Sequence, residues 1–127
     1  MNTKSASLLF GIVFIAVGLL GFFPNSIISS SHEAIFHADT MHNLVHIVSG
    51  VLFLIVALSA PARSGFFLKA FGLVYLALGI IGMTTIGSEQ STALLGFLHV
   101  NAADNYLHIG LGIIIFLAGF LPLRKTS

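Results

Sequence analysis

The chain has 127 residues, of which 57% are hydrophobic and 7% charged, and its mean hydropathy is +1.06. A soluble domain carries roughly 25% charged residues, and one this small buries too little of its surface to hide so apolar a composition, which argues against a soluble enzyme. A formal net charge of +1 gives nucleic acid nothing to hold, and the absence of cysteine removes disulfides, thiolate metal sites and thiol nucleophiles.

Lys4 precedes the first apolar stretch, residues 7–23. A cationic start before an apolar run resembles a signal peptide, but Gly21-Phe-Phe-Pro24 offers no small-x-small cleavage site, so the segment is expected to stay. A connection carrying Glu33 and Asp39 follows; within it Ser29-Ser-Ser31 is a loop run with no nucleophile-elbow context. The second stretch covers 41–60, and Arg63 and Lys69 lie between it and the middle of the third, at 66–86. Glu89 lies before the fourth, at 104–123, Asp104 stands at its start, and Arg124 and Lys125 close the chain. Each stretch approaches the ~20 residues that cross a bilayer core as a helix, and none shows the alternation of a membrane barrel strand. The expectation is an all-α integral membrane four-helix bundle forming a single domain over residues 1–127.

The charges orient it. All five cations fall on one side of the spans and all four carboxylates on the other. The positive-inside rule then puts both termini and the loop at 61–69 in the cytoplasm, as a multi-pass protein of the cell (inner) membrane.

The sequence also repeats. Residues 10–21, FGIVFIAVGLLG, align with 71–82, FGLVYLALGIIG, with six identities in twelve positions. One residue further out of step, His37 matches His99, Asn43 matches Asn105, His46 matches His108, Ile47 matches Ile109 and Gly50 matches Gly112. Two copies of a helix–loop–helix hairpin, 7–62 and 66–124, follow, with the same topology and an axis along the membrane normal. Gly11 and Gly18, and their partners Gly72 and Gly79, are seven apart on one helical face, where small residues let backbones approach.

All six histidines, His32, His37, His42, His46, His99 and His108, fall in the half expected to face outward. Asp39 and Asn101 occupy equivalent positions where the second and fourth helices should begin and suit N-caps; Asp104 then sits at N3, where a carboxylate complements the helix dipole. His46 and His108 lie about 10 Å further down their helices. In one reading they are structural, with Asn43 and Asn105 as polar glue hydrogen-bonded between the second and fourth helices. In another, His42 and His46 at i, i+4 face the equivalent pair Asp104 and His108, supplying three imidazoles and one carboxylate to a divalent metal. In a third, His46 and His108 ligate a haem or other tetrapyrrole, with Gly50 and Gly112 one turn below making room for the macrocycle. The connections Glu33-Ala-Ile-Phe-His-Ala and Thr92-Ala-Leu-Leu-Gly-Phe-Leu-His-Val are expected to form short interfacial helices or staples over the end of the bundle.

The segments His42-Asn-Leu-Val-His-Ile-Val-Ser-Gly50, Val100-Asn-Ala-Ala-Asp-Asn-Tyr-Leu-His-Ile-Gly-Leu-Gly112 and Phe71-Gly-Leu-Val-Tyr-Leu-Ala-Leu-Gly79 resemble the bacterial membrane family known as domain of unknown function number 4383. The resemblance spans nearly the whole chain and implies a small four-helix membrane protein; it brings no activity. With no catalytic constellation, the expectation is a non-enzymatic membrane protein with a His/Asn/Asp cluster. Its competitors are an accessory subunit of a larger membrane complex holding haem or pigment, and a divalent-metal-binding protein. Its partners would be the lipid bilayer and a larger membrane complex or further copies of itself.

Overall fold

Four helices in chain order carry the fold: α1 (Thr3–Leu20), α2 (Thr40–Ser59), α3 (Ser64–Ile86) and α4 (Ala102–Ala118). The computed structural model describes residues 1–31, 33–86, 91–94 and 98–123. His32, Glu89, Arg124 and Lys125 lie outside the described residues, as does the side chain of His99. Thr3–Leu20, Thr40–Ser59 and Pro61–Thr85 are each long and apolar enough to cross a membrane, and Ala102–Ala118 is a shorter apolar helix.

Capping moves the helix ends away from the limits of the apolar stretches. Helix α1 starts four residues earlier because Asn2 and Ser5 form a capping box: the Ser5 N–H donates to Asn2 Oδ1 at 2.8 Å, and the Asn2 N–H to Ser5 Oγ at 2.9 Å. It stops at Leu20, with Gly21 as C-cap and Pro24 shortly beyond, where a helix cannot continue. Helix α4 begins two residues before its apolar stretch and ends at Ala118 rather than 123. Gly119 closes it, Pro122 follows, and the last carbonyls are taken up in tighter turns, Phe120 N–H to Leu117 O at 3.0 Å and Leu121 N–H to Ala118 O at 3.2 Å.

Helices α1 and α2 pack as one pair and α3 and α4 as another. Glycine makes both contacts. A Cβ added to Gly50 would stand 2.6 Å from the Gly11 carbonyl oxygen, and one added to Gly112 would stand 2.8 Å from that of Gly72. A turn away, a Cβ at Gly18 would meet the Asn43 carbonyl at 2.8 Å and Ile47; at Gly79 it would meet the Asn105 carbonyl at 2.8 Å and Ile109. Lipid tails are as apolar as leucine, so close backbone approach and dispersion, rather than expulsion of water, hold such pairs together.

Aromatic rings fill the space between the pairs. Phe53, fully buried, lies 5.8 Å from Phe14, 5.3 Å from Phe67 and 5.0 Å from Phe71 between ring centroids, and Phe14 lies 5.1 Å from Tyr75. Leu68 and Ile115 complete this core. At one end the Thr3 N–H donates to Pro122 O at 3.0 Å, tying the start of α1 to the chain beyond α4. Beside it the Lys69 ammonium stands over the Phe120 ring, 4.2 Å from its centroid.

The connections at the other end, expected as short interfacial helices or staples, are not helical but paired short strands. Strands β1 (Ile28–Ser29) and β2 (Phe36–His37) run parallel, and β3 (Ser91–Leu94) and β4 (Leu98–Asn101) run antiparallel. A helix fixes several residues before its first hydrogen bond, which segments this short repay poorly. Strand pairing satisfies them at once: Phe36 N–H donates to Ile27 O at 2.8 Å and Ala38 N–H to Ser29 O at 3.0 Å. Asn25 shapes the first connection, its Oδ1 accepting from the Ile28 N–H at 2.7 Å while its Nδ2 donates to the Phe23 and Ile28 carbonyls, each at 2.7 Å.

Candidate functional site

The site is built on the first turns of α2 and α4. Asp39 caps α2, its Oδ1 accepting the His42 N–H at 2.9 Å. Asn101 caps α4, its Oδ1 accepting the Asp104 N–H at 2.9 Å, while Asp104 Oδ2 accepts the Asn101 N–H at 2.8 Å. These bonds occupy donors that a helix start leaves without partners, and so fix where each helix begins. His42 and His46 then follow one turn apart on α2, and His108 lies one turn past Asp104 on α4.

His42, His46 and His108 converge. All three are buried, and one ring nitrogen from each can be chosen so that the three lie within 4.8 Å of one another. The His42 ring centroid is 4.5 Å from that of His46 and 5.5 Å from that of His108, and the last two are 6.3 Å apart. His46 packs edge-on to Phe14 at 5.7 Å, and His108 likewise to Tyr75 at 5.6 Å. The Nδ1 atoms of His46 and His108 have no hydrogen-bond partner among the described residues. A buried ring nitrogen left unpartnered forfeits its hydration, so the arrangement is costly unless something bonds to it.

Asp104 does not join the three imidazoles. Besides Asn101, its Oδ2 accepts the His37 N–H at 3.1 Å, so the side chain ties strand β2 to the start of α4. Asn101 reinforces that tie by donating from Nδ2 to Ile35 O at 3.0 Å. The carboxylate expected as a fourth ligand is thus used in capping and in joining the first connection to the last helix.

Asn43 and Asn105 also differ from expectation. Each carboxamide sits where a side chain at Gly21 or Gly82 would have to stand, in the contacts of α2 with α1 and of α4 with α3. Asn43 Oδ1 and both amide atoms of Asn105 lack hydrogen-bond partners among the described residues, so no carboxamide glue between α2 and α4 is seen there. The space invoked for a macrocycle is filled as well. Beside Gly50 stand the Gly11 carbonyl and Ile15, and beside Gly112 the Gly72 carbonyl and Leu76. These glycines admit a neighbouring helix, so the space beside Gly50 and Gly112 expected for a macrocycle is taken by α1 and α3.

Two partners that sequence reasoning missed are Tyr75 and Ser49. The Tyr75 hydroxyl donates to Ser49 Oγ at 3.1 Å, joining α3 to α2 inside the core. A signal was present: in the aligned segments Tyr75 stands opposite Phe14, the one pair of the twelve that differs by a hydroxyl.

Three imidazoles at such separations suit a metal of the zinc class. Zn–N bonds of about 2.0–2.1 Å in a tetrahedral site put the nitrogens about 3.4 Å apart, which ring movements of roughly 1 Å would reach. Three protein ligands would leave the fourth position open. Compared with curated proteins and with solved structures, the chain matches none. A family model, however, matches residues 4–121, nearly the entire chain, and on that match the protein belongs to the family described as domain of unknown function (DUF4383).

Proposed function

We propose that this protein is a non-enzymatic integral membrane protein that binds one divalent transition-metal ion through His42, His46 and His108. The observation that carries the reading is the convergence of three buried imidazoles from two helices, with ligand atoms within 4.8 Å of one another. Imidazole without thiolate favours zinc, copper, nickel or iron over calcium or magnesium, which prefer oxygen. The charge asymmetry supports an orientation in the cell membrane with both termini cytoplasmic and the histidine end outside. The offset matches of the sequence, together with the paired contacts Gly11–Gly50 and Gly72–Gly112, support descent from a duplicated hairpin.

The test is elemental analysis of protein extracted from membranes in mild detergent without chelator. About one zinc-class ion per chain is expected, and loss of that ion in His46→Ala and in His108→Ala. Metal-free protein whose melting temperature responds neither to added Zn²⁺ nor to chelator would overturn the reading and leave the histidines a structural role.

A further inference from the structure

The three imidazoles are closed to an ion on most sides. Toward the end where Thr3 meets Pro122, the fully buried Phe53, Leu68 and Ile115 fill the bundle. The groove between α2 and α3, about 430 Å³, reaches no histidine. The cleft between α1 and α4, about 270 Å³, touches the rings of His46 and His108 along a lining that is otherwise leucine, valine and phenylalanine. A hydrated divalent ion does not give up its water to such a lining. The end that carries the strands is the side left.

There the cover is made of two crossing connections. His42 stands in the first turn of α2, and side chains on a helix tilt toward its N-terminus, so its ring leans toward that end. It is nonetheless only 2% exposed. Strand β2 packs on β4 and on α4, and β4 packs on α2 and α3, with Val100 fully buried against Val45 and Leu78. Each hairpin's connection thus reaches over the other hairpin. Along one edge of β2, the Phe36 and Ala38 N–H groups donate to the Ile27 and Ser29 carbonyls. Along the other, the His37 N–H donates to Asp104 Oδ2 at 3.1 Å and Ile35 O accepts from Asn101 Nδ2 at 3.0 Å.

Asp104 and Asn101 also cap α4, but the two tasks separate. In α1 the same kind of box is made by Asn2 with a serine, Ser5, at the equivalent position, so capping does not require a carboxylate. What the longer Asp104 side chain adds is its reach to β2. We propose that the contact of Asp104 and Asn101 with β2 is a latch: metal ions enter and leave the three imidazoles at this end, and the latch sets the rate of that exchange. The inference rests on the metal-centre reading above. Releasing β2 from α4 undoes neither glycine-packed helix pair, and His42, His46 and His108 keep their places on the helices. Rates of exchange therefore change while affinity does not.

The experiment places the full chain in phosphatidylcholine nanodiscs and follows the visible ligand-field absorption of Co²⁺ during uptake by metal-free protein and during release to excess EDTA. Asp104→Ser leaves a hydroxyl for the capping box, as Ser5 does in α1, and takes away the acceptor of the His37 N–H. Asn101→Ser leaves a good N-cap and takes away the donor to Ile35 O; it also serves should Asp104→Ser fail to fold. Each should speed uptake and release together by about tenfold, the scale of one lost hydrogen bond, with Kd within about twofold of wild type. Val13→Phe, in the cleft between α1 and α4, should change neither rate. Failure to bind Co²⁺ would overturn the metal-centre reading and this inference together. Three results with Co²⁺ bound would overturn the inference alone: exchange as slow in both variants as in wild type, a Kd that rises in step with faster release, or slower exchange in Val13→Phe.

Discussion

At the scale of single residues, the site turns on what each histidine nitrogen meets. His46 and His108 could be singled out in the sequence because the duplicated segments align them and because both stand at membrane depth. His42 could be named from its i, i+4 spacing to His46. Asp104 shares that spacing with His108, which on the same logic makes it a ligand, yet its carboxylate serves as N3 partner of a capping box and as acceptor for the His37 N–H. Spacing along a helix fixes a shared face, not which of two demands on that face a carboxylate meets. The three imidazoles predict a contrast between replacements. If they hold a metal, His46→Gln should lose the ion about as completely as His46→Ala, since a carboxamide is a poor stand-in for imidazole. Zn²⁺ at about 100 times its Kd should stabilise wild type by about 2.7 kcal/mol and leave both variants unmoved, as read from melting in detergent. Gln restoring the stability of wild type would instead mark His46 as a hydrogen-bonding residue.

At the scale of elements, the helix pairs are set by glycine. The seven-residue spacing of Gly11 with Gly18 and of Gly72 with Gly79 was readable as a close-packing face, and those are faces along which α1 meets α2 and α3 meets α4. Gly72→Ala should therefore be costly. Its Cβ would press on the backbone of α4 at Phe116 N and, at 2.7 Å, at Gly112 O, so relief requires the helices to separate. A loss of about 1–3 kcal/mol is expected, the range for overpacking. Gly110→Ala is the control, because nothing lies within 4 Å of its added Cβ; it should be neutral or gain up to about 1 kcal/mol of helix propensity. Thermal melting of the two variants in one detergent checks the pair. That the connections pair as strands rather than coil as short helices is not written in their hydrophobic content, which says where a segment sits and not how its backbone groups are satisfied. Strand pairing and the Asn25 side chain did that here.

At the scale of the molecule, the described ionic groups divide between the ends. Lys4, Arg63 and Lys69 belong to the end where Thr3 meets Pro122, and Glu33, Asp39 and Asp104 to the end carrying the strands and histidines. Cysteine labelling in intact cells tests which end faces the cytoplasm. Ser30, exposed in the first connection, should label with a membrane-impermeant thiol reagent when changed to cysteine, and Ala62, exposed between α2 and α3, should resist it. Ser64 is the wrong reporter on that side, because it is fully buried and would resist from either direction. Labelling at Ala62→Cys and protection at Ser30→Cys would reverse the orientation.

The sequence alone determined the helical class, the four apolar segments, the charge difference between the ends, the N-caps Asp39 and Asn101 and the glycine faces. Each of these is written in local composition or in a period along one helix, which sequence displays directly. Only the tertiary structure decided that His42, His46 and His108 converge while Asp104 turns to the backbone, and that Gly50 and Gly112 receive a helix rather than a macrocycle. It alone decided that a cleft between α1 and α4 reaches the rings of His46 and His108 while the groove between α2 and α3 reaches no histidine. Those outcomes depend on how two similar hairpins rotate against each other. That rotation is fixed by contacts between residues distant in sequence, such as Phe14 on Tyr75, Phe53 on Phe71 and the Tyr75 hydroxyl on Ser49. No local period encodes which faces of the two hairpins meet.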